Sequence, residues 1–108
     1  MVIEFYTEMC PYCQKFYPVW NRVADYYTAA YRGDMIFVKV EGNKNSFTSH
    51  RYGVTGYPTF IIVEPGSDGS KFTKWEASHK DRQGMMQWIE GTVGNRLTID
   101  RGEQMNDA

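Results

Sequence analysis

Apolar positions along the chain alternate between two periods, and the elements follow from them. Val2, Ile3, Phe5 and Tyr6 form a short apolar run broken only by Glu4. A run without alternation predicts a strand covered on both faces, as in a sheet flanked by helices. Phe16, Trp20, Val23, Tyr27 and Ala30 then recur at helical spacing through about Tyr31, a stripe for packing against the core. Pro18 lies inside that stripe and is expected to kink the helix. Gly33-Asp34 ends it, and Met35 to Val40 is a second continuous apolar run, holding one charge, Lys39.

Glu41 to Asn45 is polar and reads as a loop. Ser46 to Tyr52 has the length of a short helix stopped by Gly53. Thr59 to Val63 is a strong strand with Pro58 directly before it, where the missing N–H of proline removes no ladder bond. Pro65 to Ser70 is a turn-rich loop, and Lys71 to Glu76 returns as a hairpin strand. Phe72 and Trp75 point to opposite faces there, so an edge strand or a bulge is expected. Ser78 with Asp81 resembles a capping box, and Met85, Trp88, Ile89 and Val93 give the apolar face of a closing helix that ends near Gly94-Asn95. From Leu97 the tail is polar and expected to fray. The order is β-α-β-(short α)-β-β-α. A right-handed first crossover makes the first two strands parallel, and the last two form an antiparallel hairpin. The fold class is α/β, a mixed four-stranded sheet flanked by helices, with a domain over 1–96 and a tail over 97–108.

Composition narrows the functions. At 108 residues the chain is one domain, 42% hydrophobic and 16% aromatic, with a formal net charge of -1. No Lys/Arg cluster points to nucleic acid or an anionic membrane, and no apolar run approaches the ~20 residues of a membrane span. No signal peptide is visible. Met1 stands almost directly on the first strand, as it would if an upstream segment had been cut away.

The two cysteines stand together as Cys10-Pro11-Tyr12-Cys13. A disulfide across so short a loop restrains the unfolded chain little, so a structural staple is disfavoured. A closed zinc site needs four ligands, and His50 and His79 lack the spacing to complete one; no metal and no cofactor are assigned. Redox chemistry fits better. Residues three apart at a helix start share a face. Pro11 suits the first helical position, which makes Cys10 the cap-like residue at the positive end of the helix dipole. Free N–H groups there favour thiolate over thiol and lower the cysteine pKa. Cys13, one turn further in, is the more buried, resolving thiol. Glu4 has two readings: an edge strand with the carboxylate in water, or a buried acid beneath Cys13 serving as proton acceptor. Lys39 either ends in solvent or pairs with Glu4. His79 reads as an exposed polar residue.

Together these residues resemble the thioredoxin superfamily, most closely a catalytic domain of the protein disulfide isomerase family, over about Val2 to Gly91. Glu4-Phe5-Tyr6, C-x-x-C and Pro18-Val19-Trp20 are similar to that family's first signature. Tyr52-Gly53-Val54-x-Gly56-Tyr57-Pro58-Thr59 is similar to its second. The resemblance implies Cys10 as attacking thiol, Cys13 as resolving thiol, Glu4 as the buried acid and Lys39 as its partner. It also implies a cis-proline at Pro58 that presents the backbone of Tyr57 to an extended substrate; Pro11 and Tyr12 join these two as substrate-binding candidates. The implied activity is thiol–disulfide oxidoreductase. The implied partners are protein or peptide disulfides and dithiols, with glutathione a further candidate. A monomer is expected; the resemblance implies the endoplasmic reticulum or another secretory compartment, with the cytoplasm as the alternative.

Four departures keep rivals in view. Met9 replaces the usual tryptophan before the first cysteine. Pro-Tyr between the cysteines is the dipeptide of glutaredoxins. The family arginine has only Lys80 or Arg82 as stand-ins. The leading strand and helix of thioredoxins are absent. Glutaredoxins share the shorter topology, but their Thr-Val-Pro turn is Gly-Tyr-Pro here, and 65–70 gives no convincing glutathione-binding Gly-Gly turn. The rival functions are a cytosolic redox donor of the glutaredoxin or thioredoxin kind, and a peptide-binding module using the groove beside Pro58.

Overall fold

A computed structural model describes residues 1–31, 34–64, 66–77 and 80–93. Its elements are β1 (Val2–Tyr6), α1 (Pro11–Tyr31), β2 (Phe37–Glu41), α2 (Ser46–Arg51), β3 (Thr59–Val63), β4 (Phe72–Lys74) and α3 (Arg82–Val93). They form one mixed four-stranded sheet in the order β2-β1-β3-β4. β1 pairs parallel with β2 and antiparallel with β3, and β4 closes the hairpin antiparallel to β3. β1 is therefore a central strand, which explains why its sequence is nearly continuous rather than alternating.

Strand alternation sorts the side chains into two cores. Val2, Phe60 and Ile62 face α1 and α3, where they meet Phe16, Trp20, Val23, Tyr27, Met85 and Ile89. Ile3, Phe5, Ile61 and Val63 face the other way, against Tyr52, Val54 and Tyr57 around α2. Phe60 anchors the larger core: its ring centroid lies 4.8 Å from Phe16, 5.4 Å from Trp75 and 6.0 Å from Trp20. The Tyr27 hydroxyl donates to Glu90 Oε2 at 2.6 Å and ties α1 to α3.

Several boundaries differ from the pattern-based expectation. β2 begins at Phe37, not Met35, because Met35 turns into the core while Ile36 is exposed; the carbonyl of Ile36 still accepts the N–H of Val2 at 2.8 Å. α1 runs to Tyr31, as expected, with Tyr31 joining the buried stripe and Ala30 packed at its edge, and it is continuous across Pro18. β4 is an edge strand, as expected, but only three residues long. Phe72 packs on Tyr52 and Trp75 on Phe16 and Phe60, so the two rings do lie on opposite faces.

Gly53, at φ +65°, stops α2 in the left-handed conformation that glycine adopts without a Cβ clash. Asp81 is the N-cap of α3 and not its third residue: its carboxylate accepts the Gly84 N–H at 2.7 Å and its carbonyl the Met85 N–H at 3.0 Å. The expectations for Gly33, Pro65, Ser78, His79 and the tail over 97–108 fall outside the described residues.

Phe60→Ala should lower stability by about 3–5 kcal/mol, as expected for a fully buried aromatic. Phe47→Ala, at a residue 85% exposed, should stay within about 0.5 kcal/mol. Urea unfolding of both variants checks the placement of the core.

Candidate active site

β1 ends at Tyr6, and a tight turn follows in which the Cys10 N–H donates to the Thr7 carbonyl at 3.2 Å. The Gln14 side chain clamps this turn through the Glu8 carbonyl at 3.1 Å. α1 starts at Pro11, and the carbonyl of Cys10 accepts the first helical bond from the Gln14 N–H at 3.1 Å. Cys10 is thus the N-cap. Its sulfur stands where a serine or aspartate oxygen usually caps a helix, and the Cys13 N–H donates to it at 3.1 Å. The pair is joined as a disulfide with Cα atoms 5.2 Å apart. Cys10 is half-buried and Cys13 is 5% exposed, the asymmetry needed for one attacking and one resolving sulfur. Met9, Pro11 and Tyr12 surround Cys10 and are exposed.

Pro58 enters by topology. β3 runs antiparallel to β1 with Thr59 opposite Phe5, so the turn before β3 sits at the same end of the sheet as the loop carrying Cys10. The Tyr57–Pro58 peptide bond is cis. The Thr59 hydroxyl donates to the Gly56 carbonyl at 2.6 Å and closes that turn. The ring of Tyr57 lies against Gly42, leaving no room for a side chain there, and joins the smaller core. Any contact Tyr57 offers a ligand therefore comes from its backbone more than from its ring.

Glu4 lies on the central strand, flanked in register by Lys39 on β2 and Phe60 on β3. The edge-strand reading is excluded. Its side chain is 0% exposed on the α1 face, and neither carboxylate oxygen has a hydrogen-bond partner among the described residues. Burial pushes the carboxyl up to about 7, and the Lys39 charge pulls against it.

Lys39 is half-buried, so it does not end freely in solvent. Nor does it form an ion pair with Glu4: among the described residues the one salt bridge is Lys44 to Glu8. Its ammonium sits instead 4.4 Å from the Tyr6 ring centroid and 4.6 Å from that of Tyr17. Lys39, both rings, Glu8, Gln14 and Cys13 wall a cavity of about 340 Å³. Tyr17 was missed from the pattern because it lies off the apolar stripe. Its position four residues after Cys13, on the same helical face, is the signal that would have found it.

The family model described as Thioredoxin matches residues 1–90. The chain belongs to the thioredoxin family. Protein disulfide-isomerase A4 of Homo sapiens is 31% identical over 90 residues, covering 83% of this chain and 14% of that protein. Protein disulfide-isomerase A3 of Gallus gallus is 33% identical over 88 residues, covering 77% and 17%. This thioredoxin-family chain thus corresponds to about one seventh of the length of its A4 relative. Among solved structures, the first thioredoxin domain of mouse Protein disulfide-isomerase A4 superposes with a TM-score of 0.67 at 20% identity, covering 88% of this chain and 64% of that one, a likeness of fold.

Within the thioredoxin-family frame, neither stand-in for the family arginine lines the cavity beside Cys13. Lys80 donates to the Ala77 carbonyl at 2.6 Å and lies 5.4 Å from the Trp75 ring centroid; Arg82 is exposed at the start of α3. Among the described residues no group of three His, Cys, Asp or Glu could hold a metal ion, and no helix is long and apolar enough to cross a membrane.

The raised Glu4 pKa carries a stability signature. Between 4.5 and about 7 the unfolded chain releases this proton while the folded chain keeps it, so stability falls as pH rises through that window. The full loss is on the order of 3 kcal/mol. Glu4→Gln should match the parent near pH ~4 and exceed its stability near pH ~8. Chemical denaturation across that range checks it, and a stability difference independent of pH would contradict the buried acid.

Proposed function

We propose that this thioredoxin-family chain is a thiol–disulfide oxidoreductase acting on protein or peptide substrates, with Cys10 as nucleophile and Cys13 as resolving thiol. The observation that carries it is the Cys13 N–H donating to the half-buried Cys10 sulfur at the start of α1. In the reduced state the same amide and the helix dipole favour thiolate at Cys10. That thiolate attacks a substrate disulfide, forming a bond to one substrate sulfur and releasing the other as a thiolate. Cys13 then passes its proton to Glu4 and attacks Cys10; the Cys10–Cys13 bond forms, the Cys10–substrate bond breaks, and the substrate leaves with the electron pair. The substrate gains two electrons and the cysteine pair loses them; the reverse sequence oxidises a dithiol.

Glu4 suits the acceptor role because burial pushes its carboxyl up to about 7, within reach of both forms at neutral pH. The exposed Met9 and Tyr12 beside Cys10, with the Tyr57–Pro58 backbone at the same end of the sheet, offer an apolar surface to an extended chain. The isomerase names of the curated relatives support protein substrates, and with them an oxidising secretory compartment.

Trapping tests the assignment. Cys13→Ser should accumulate a covalent adduct with a disulfide substrate through Cys10, and Cys10→Ser should form none. Glu4→Gln should slow release from the adduct without changing substrate affinity. Full biological activity in Cys10→Ser would replace the enzyme with a binding module. Rapid turnover with glutathione alone would replace a protein substrate with a glutathione-coupled one.

A further inference from the structure

The position of the Lys39 ammonium needs an explanation. Its register neighbour Glu4 is buried, acidic and unpartnered among the described residues, yet the cation lies between two tyrosine rings. A ring face attracts an ammonium within about 6 Å of its centroid, and two rings on different elements fix one from two sides. Tyr6 ends β1, and Tyr17 stands one turn after Cys13 on α1. The other charged groups nearby are already engaged. Glu8, at the cavity wall, holds Lys44 Nζ at 3.2 Å. Glu41 accepts the N–H groups of Asn43, Lys44 and Glu8. Glu4 on β1 is the register neighbour of Lys39, and Cys13 on α1 lines the same cavity.

We propose that Tyr17, together with Tyr6, is a positioning residue whose ring clamps the Lys39 ammonium in the wall of the cavity holding Cys13, so that a fixed positive charge stands ready when Cys13 becomes a thiolate. This rests on the thiol–disulfide reading above and assigns the clamp to one step of it. Cys10 is served by the amides at the start of α1, whereas Cys13 lies past them and faces the cavity shared with Lys39. When the Cys13 proton moves to Glu4, the sulfur gains negative charge opposite the ammonium. It then bonds to Cys10 and expels the substrate sulfur with its electron pair. Without the Tyr17 ring, the flexible lysine stem swings toward water, where its charge is strongly hydrated and screened.

Single-turnover kinetics of the full chain with a fluorogenic disulfide peptide separate adduct formation from release. Tyr17 is 53% exposed, so its replacement spares the core. Tyr17→Leu should slow release about tenfold, matching a rise of about one unit in the Cys13 pKa, and leave adduct formation unchanged. Tyr17→Phe keeps the ring and should restore release. Lys39→Met should slow release to the same degree, and Tyr17→Leu added to it should slow it no further. The ¹³Cβ resonance of Cys13, titrated in a Cys10→Ser background, should move to higher pH with Tyr17→Leu. The clamp is overturned if that titration is unmoved, if both steps slow together, or if Tyr17→Phe behaves as Tyr17→Leu. Failure of the parent to form any Cys10 adduct would instead sink the thiol–disulfide reading, and the Cys13 titration would still decide whether the clamp acts.

Discussion

The Cys13 amide donating to the Cys10 sulfur is the contact the rest of the structure serves. A helix start leaves N–H groups without partners, and oxygen from a serine or aspartate usually answers them. Sulfur in that place answers them too, but as a thiolate it gains more from the interaction than as a thiol. In the proposed mechanism the cap that begins α1 is also the group that α1 activates. β1 delivers Cys10 to that point, and β1 is held between β2 and β3 with helices over both faces.

Glu4 follows from the same constraint. The strand that leads to the cysteine is central, and the Glu4 carboxyl on its α1 face is cut off from water. Desolvation dominates and Lys39 opposes it. A tight ion pair between them would lower the carboxyl pKa and make it a weaker base for the proposed proton transfer. Burial pushes the carboxyl up to about 7 against the pull of Lys39, while the ammonium sits over Tyr6 and Tyr17 in the wall of the cavity that Cys13 also lines. Separation of the two charges, rather than their pairing, is what the arrangement achieves.

Much of this was legible in the chain. The order of elements, the helical position of Cys10 and the burial of Cys13 followed from hydrophobic period and the placement of Pro11. The ambiguity at Glu4 was real, because a five-residue run does not say which strands lie beside it; only the sheet order made it central. Lys39 was legible as a neighbour of Glu4 but not as a guest of two rings, since strand register places a Cα and leaves a four-carbon stem free. The local pattern at Asp81 fits either offset, third residue of the helix or its cap, and only the structure separates them. Tyr57 is marked in the sequence by its place before Pro58, but the packing of its ring on Gly42 is a contact between residues distant in sequence that no local pattern encodes.

The most direct test of the account is the pH dependence of Cys10 alkylation in the reduced protein, with Cys13→Ser removing the second thiol. An amide and a helix dipole aimed at the sulfur place the midpoint well below the free-thiol value of about 8.5, with fast alkylation already at neutral pH. A midpoint at the free-thiol value would contradict the account, because the helix start would then be capping an ordinary thiol.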